Sequence, residues 1–418
     1  MLTPYARLLR APGAAQFCAA GVVARLPIAM YGLGYILLVA EVTGSYALAG
    51  VVSAGYALSV AVGSPLTSRL ADRIGQARVL PWFTTVHVAC LIGSVIALLN
   101  SAPLAVGLAL ASLAGATQLG YGGFIRARWV ALIRTRLDAT GQGSVGRATH
   151  TAFALESVLD EVIFVLGPPL ATLLVVALGP GSAVLASALI VAVGAAWLTR
   201  QPQTAPPVLP HTGPRHRAVI RQPGLAGLVV VFALFGALFG AMELSTVAFA
   251  GERNQPAMAG VLLALYAVGS LVAGLIYGTR HLRTPLPDRL LWASVLVFAT
   301  TLVMPFITAA WALGVMLMLA GSVIAPTLIT GYALIERVLP PRQLTEGLAW
   351  SISGLGVGIA LVAPLAGWLI DRTGASAGYA TAATAGGLML LAVTVLRPWL
   401  ARADTSDRRA DPVGASSL

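Results

Sequence analysis

The sequence predicts an all-α integral membrane protein with twelve transmembrane helices arranged as two pseudo-symmetric six-helix bundles. Three observations lead there. Of the 418 residues, 58% are hydrophobic and only 10% charged, against roughly 25% charged in an average soluble domain. Apolar windows of the ~20 residues that cross a bilayer recur twelve times. Part of the second window is repeated 210 residues later.

The windows lie near 15–40, 45–68, 79–99, 103–126, 149–178, 181–199, 224–250, 257–278, 289–307, 311–335, 344–370 and 375–396. Only helices and closed barrels satisfy every backbone group in lipid, and these runs lack the alternation of barrel strands, so helices are expected. The 45 glycines, many inside the runs, suit helices that pack closely in lipid. The first run is too long for a cleavable signal and leads straight into further spans.

Arginine sets the orientation. All 26 basic residues are Arg, a bias read as genome composition rather than function. With a cytoplasmic N-terminus, 23 of them fall on the cytoplasmic side; Arg253 and Arg372 fall outside and Arg25 lies within the first span. This follows the positive-inside rule. The net charge of +11 is therefore topological and not a nucleic-acid footprint. The expected location is the inner (plasma) membrane, with both termini cytoplasmic and the chain monomeric.

Residues 200–222 are Pro-rich and basic and read as a cytoplasmic linker between bundles 1–199 and 223–397; residues 398–418 read as a disordered cytoplasmic tail. The repeat supports the division. Ala47, Ala49, Gly50, Val51, Ala54, Tyr56, Ala57 and Val62 return as Ala257, Ala259, Gly260, Val261, Ala264, Tyr266, Ala267 and Val272. A shorter echo pairs Pro169-Leu170-Ala171 with Pro364-Leu365-Ala366.

Charges inside spans are the informative positions, since each costs about 2.5–3.5 kcal/mol at the bilayer centre on insertion scales. Glu156, Asp160 and Glu161 cluster in the fifth span. Glu156 and Asp160, four apart, share a helix face, and Glu161 lies about 100° round. Two like charges on one face in low dielectric do not both ionise cheaply, a property that a proton-coupling site needs. The structural alternative pairs these acids with Arg126 and Arg128, which end the fourth span. Arg25 in the first span and Glu243 in the seventh are the other isolated charges: both are candidate substrate or coupling contacts. For Arg25 an anionic substrate group or an ion pair with the fifth-span acids would each answer its charge. Cys18 and Cys90 give no disulfide or metal-ligand spacing, and no phosphate-binding loop, zinc motif or nucleophile elbow is present. No enzyme, metal or cofactor is expected, with the proton gradient as driving force.

The run Leu66–Leu80 reads as a short Arg-rich hinge between spans. It resembles the loop between the second and third helices of major facilitator superfamily transporters, G-x-L-a-D-R-x-G-R-x-x-x-L. Leu70, Ala71, Asp72, Arg73, Gly75 and Leu80 match; Ser68 and Gln76 depart from it. The resemblance implies that family's fold, with substrate bound between two parallel halves near mid-membrane. It also implies gating roles for Asp72 and Arg73, with Gly75 making the turn. Gly167 and Pro168 match part of the fifth-span antiporter motif G-x-x-x-G-P-x-x-G-G, a helix bend, whereas Ile163, Ala171 and Thr172 replace its other glycines. Drug–proton antiporters often carry a fourth-span Arg followed by Gln-Gly; here Ala127 and Arg128 follow Arg126.

The expected function is secondary active transport by alternating access, with proton-coupled export of a small drug-like compound or metabolite as the first reading. A permease for a sugar or other polar nutrient is the alternative, and a non-transporting receptor or enzyme on the same scaffold the remote one. The spans hold almost no Asn or Gln, Gln118 excepted, which favours an amphipathic substrate over a sugar.

Overall fold

The computed structural model describes residues 6, 8–137, 142–208, 222–279, 284–339 and 344–410. Among them there is no strand, and twelve helices are long and apolar enough to cross a membrane. The first six are α1 (Ala14–Thr43), α2 (Tyr46–Ile74), α3 (Gln76–Leu99), α4 (Leu104–Arg134), α5 (Thr151–Leu178) and α6 (Ser182–Thr199). The second six are α7 (Gly224–Gly251), α8 (Pro256–Tyr277), α9 (Leu286–Phe306), α10 (Ala310–Val338), α11 (Trp350–Thr373) and α12 (Ala375–Ala401). The protein is thus an all-α, twelve-span membrane protein. Its apolar outer surface follows: Leu178, Leu361 and Val395 are each more than 70% exposed, tolerable only against lipid.

Two compact units make up the chain, Met1–Gly213 with Pro256–Ala264, and Pro214–Gln255 with Leu265–Leu418. The start of α8 is counted with the first unit because Gly260 lies directly on α5: a Cβ there would overlap Thr172 Oγ1 and stand 2.8 Å from the Pro168 carbonyl. The same local packing recurs in each unit. Gly115 of α4 rests on the Tyr56 carbonyl of α2, and Gly321 of α10 on the Tyr266 carbonyl of α8, each too close to admit a side chain. Tyr56 and Tyr266 are the repeat-related pair. Trp82 and Trp292, also 210 apart, both lie six residues into their spans and are 76% and 69% exposed, as interfacial tryptophans should be.

Several boundaries differ from expectation. The hinge 66–80 is helical on both sides of a single residue: Gly75, at φ +92°, ends one helix and starts the next, a conformation that suits glycine because it has no Cβ. α1 is broken after Arg25 and resumes at Ile28, with Pro27 at the junction. α4 is broken at Gln118 and resumes at Tyr121. The helix of α5 is continuous through Gly167-Pro168-Pro169; Thr172 Oγ1 donates to the Pro168 and Pro169 carbonyls. Gly167 serves a close approach, since a Cβ there would sit 2.5 Å from that of Ala29 in α1. Helix α12 runs on to Ala410, past residue 398 where a disordered tail was expected, and 411–418 lie outside the described residues. Of the linker, Pro202–Thr204 forms a 3-10 turn, and 209–221 lie outside the described residues.

Candidate functional site

The fifth-span acids are brought together with the first-span arginine. Arg25, the last residue of the first α1 segment, turns its guanidinium on α5. Its NH2 meets Glu156 Oε2 at 2.5 Å, its NH1 meets Asp160 Oδ1 at 2.8 Å, and its Nε donates to the Gly21 carbonyl at 3.0 Å. All three nitrogens are engaged and the residue is 2% exposed. Arg25 is thus paired with the fifth-span acids, one of the two answers the sequence left open for its charge. The i,i+4 spacing of Glu156 and Asp160 lets one fork-shaped guanidinium hold both.

Exposure grades along the cluster. Glu156 is fully buried, and its Oε1 also accepts from Trp129 Nε1 at 2.7 Å and from the Cys18 thiol at 3.5 Å. Donors to both its oxygens offset the cost of burying the carboxylate. Asp160, one turn along, gives its second oxygen to Arg126 NH2 at 2.9 Å; both side chains are about one-third exposed (31% and 34%). Asp160 lies about 14 Å from the start of α5 and about 27 Å from its end at 1.5 Å per residue, a third of the way along the span. Glu161, half-buried, follows it. Trp129 and Cys18 were not among the sequence candidates. Their signal was present, because Trp129 is three residues past Arg126 and so shares its helix face.

Arg128 was expected beside these acids and lies elsewhere. Two residues from Arg126, it projects from nearly the opposite side of α4. It is 1% exposed and donates to Gln76 Oε1 at 2.9 Å, to the Leu198 and Gln201 carbonyls at 3.3 and 2.9 Å, and to Thr204 Oγ1 at 2.6 Å. It caps the last carbonyls of α6 and binds them to the start of α3. Asp72 and Arg73 are exposed and bond to no described residue.

A buried polar seam in the first unit was not foreseen. His87 Nδ1 lies 2.7 Å from the Ala114 carbonyl, so it carries the proton, and Nε2 accepts from the Tyr31 hydroxyl at 2.9 Å. Tyr56 donates to Gln118 Oε1. These groups surround the α4 break, whose freed backbone must find partners in the protein. A Gln-Leu-Gly run inside an apolar span was the available signal.

In the second unit, Glu243 is half-buried on α7 and forms no hydrogen bond or ion pair with any described residue. One turn before it on the same face stands Phe239, also half-buried, its ring 5.7 Å from that of Tyr266 on α8. Among the described residues no group of His, Cys, Asp and Glu is arranged to hold a metal ion.

Comparison with known proteins agrees with this architecture. Residues 17–279 and 244–416 match the family model described as Major Facilitator Superfamily. An uncharacterised MFS-type transporter, y4rN of Sinorhizobium fredii, is 29% identical over 393 residues, covering 88% of this chain and 91% of that protein. Among solved structures, the nucleoside transporter NupG superimposes with a TM-score of 0.73 at 13% identity, over 92% of this chain and 99% of that one. The human organic anion transporter MFSD10 gives 0.61 at 15% identity, over 91% and 99%. At such identities the likeness is one of fold.

Proposed function

The chain belongs to the major facilitator superfamily, and on that premise we propose that this transporter exports a small organic molecule in exchange for protons. The reading places it in the inner membrane with both termini cytoplasmic, as the arginine distribution favours. Asp160 is the observation that carries it: one carboxylate inside the span, held by two arginines yet one-third exposed.

A proton arriving from the open side reaches Asp160 before the fully buried Glu156. Neutralising Asp160 removes the charge that attracts Arg126 and one of the two that attract Arg25, which releases Arg126 and weakens the hold of α4 on α5. Glu156, still held by Arg25, Trp129 and Cys18, keeps Arg25 in place and anchors the return. Glu161 offers a second carboxylate for proton hand-on. Gly75 with the exposed Asp72 and Arg73 forms the gating loop that sets the balance of outward- and inward-open states, as the family resemblance implies.

The test is accumulation of ethidium in cells producing the wild type or Asp160→Asn, with and without a protonophore. The wild type should lower dye levels, and both the protonophore and the substitution should abolish the effect. Dye efflux that survives Asp160→Asn with its protonophore sensitivity intact would remove Asp160 from the coupling step.

A further inference from the structure

The charges of the two units are balanced differently. In the first unit every acid of the Arg25 cluster that meets a base does so within protein: Glu156 with Arg25, Asp160 with Arg25 and Arg126. In the second unit the described arginines sit at or near span ends. Arg253 is committed to the Phe249 and Thr308 carbonyls and lies over the Phe249 ring, Arg397 holds Asp288, and Arg372 lies over Trp368. The interiors of α7–α12 contain no Lys, Arg or His. Glu243 is the acid left inside them. It stands 19 residues into α7, about 28 Å from the start of the span and 12 Å from its end.

A carboxylate at that depth with no partner among the described residues is expensive, which makes it a candidate contact for a charge from outside the chain. Its surroundings say what kind. The flanking α7 residues Ala241, Met242, Leu244 and Ser245 are buried, whereas Glu243 and Phe239 are half-open. At four residues apart they line one face of the helix. Phe239 contacts Phe235 edge-on at 5.1 Å and Tyr266 at 5.7 Å. An acid one helical turn from a half-open aromatic ring is the chemistry that recognises a desolvated organic cation, through an ion pair at the carboxylate and cation–π attraction at the ring. Arg25, the group that would have favoured an anion, has every nitrogen occupied.

We propose that Glu243, with Phe239 and Tyr266, binds the positive group of a lipophilic organic cation, such as a hydrophobic amine or a quaternary ammonium or phosphonium compound. This deepens the export reading and rests on the protein being a transporter of small organic molecules. Glu243 supplies the charge; Phe239 and Tyr266 supply the apolar, polarisable wall. No bond is made or broken.

The test is equilibrium binding to the purified full-length protein in detergent, with no gradient present. The probes are tetraphenylphosphonium and its isostere of opposite charge, tetraphenylborate. Saturable tetraphenylphosphonium binding is expected, weakened at least tenfold by Glu243→Gln, several-fold by Phe239→Ala and less by Glu243→Asp, with no saturable tetraphenylborate binding. Glu243→Gln is nearly isosteric, and an unchanged melting temperature shows that the loss is not unfolding. Equal binding of the two probes, no tetraphenylphosphonium binding by the wild type, or binding indifferent to Glu243→Gln would each overturn the proposal. Binding that needs Glu243, together with efflux indifferent to Asp160→Asn and to protonophore, would keep the cation site and discard proton-driven export. Protonophore-sensitive efflux abolished by Asp160→Asn but untouched by Glu243→Gln would do the reverse.

Discussion

Arg128 donates its Nε hydrogen to Oε1 of Gln76 at 2.9 Å, and the Gln76 amide donates onward to the Phe124 carbonyl at 3.3 Å. The residue at 76 is one where the loop motif of the family has a base. Here α4 brings the base, and the loop brings the neutral acceptor. A second arginine at 76 would meet Arg128 head-on in a site that is 4% and 1% exposed at the two residues.

Gln76→Arg should therefore lower the thermal unfolding temperature in detergent. The lost bond to a charged group alone costs about 1.5–3 kcal/mol. Restoring one base and one acceptor with Gln76→Arg/Arg128→Gln should recover part of the loss, read in the same melting assay. An additive double variant would show that the two residues do not act as a pair.

Removing Arg25 leaves Glu156 buried beside no base. Arg25→Met should cost about 3–5 kcal/mol, as for a broken buried ion pair, and appear as a loss of folded, monodisperse protein. Adding Glu156→Gln removes the stranded charge and should return much of the folded yield.

Cys18 reports on the same cluster. Buried against Glu156 and 5% exposed, its thiol should react with a maleimide at least tenfold more slowly in the folded wild type than after denaturation. In Glu156→Ala, which takes away its acceptor and opens space beside it, labelling should quicken. Mass spectrometry of the peptide containing Cys18 gives the readout.

Gly260→Ala puts a methyl group into the Thr172 hydroxyl and against the Pro168 carbonyl. Overpacking of this kind costs about 1–3 kcal/mol, so the variant should melt lower than wild type. Thr172→Ala, which clears the nearest atom, should relieve part of it. No change in either variant would mean that α8 is free to shift away from α5.

Gly75→Ala places a side chain at φ +92° in the single residue joining α2 to α3. A left-handed conformation costs a non-glycine residue about 1 kcal/mol or more. A lower melting temperature is expected, and, if the gating role holds, a changed ratio of uptake to efflux rates in proteoliposomes.

Much of the fold could be read from the chain because the bilayer is an unforgiving solvent. Length and apolarity alone make Ala14–Thr43 or Gly224–Gly251 a span, and only a helix satisfies such a span in lipid. The repeat centred on Tyr56 and Tyr266 was visible as sequence and returns as the same glycine-on-carbonyl contact. Spacing also placed Glu156 and Asp160 on one face, since four residues nearly complete a helical turn.

Partner choice was decided only by tertiary structure. Hydrophobicity marks Arg25, Arg126, Arg128 and Glu243 as costly without saying what answers them; that depends on which helices meet and at what rotation. The rotation of α4 sends Arg126 to Asp160 and Arg128 to Gln76 and the end of α6. The break in α1 leaves Arg25 facing the acids, each of its three nitrogens engaged. Glu243 has no such meeting within the described chain. Sequence thus determined where charge enters the membrane, and packing determined which of those charges are paired among the described residues.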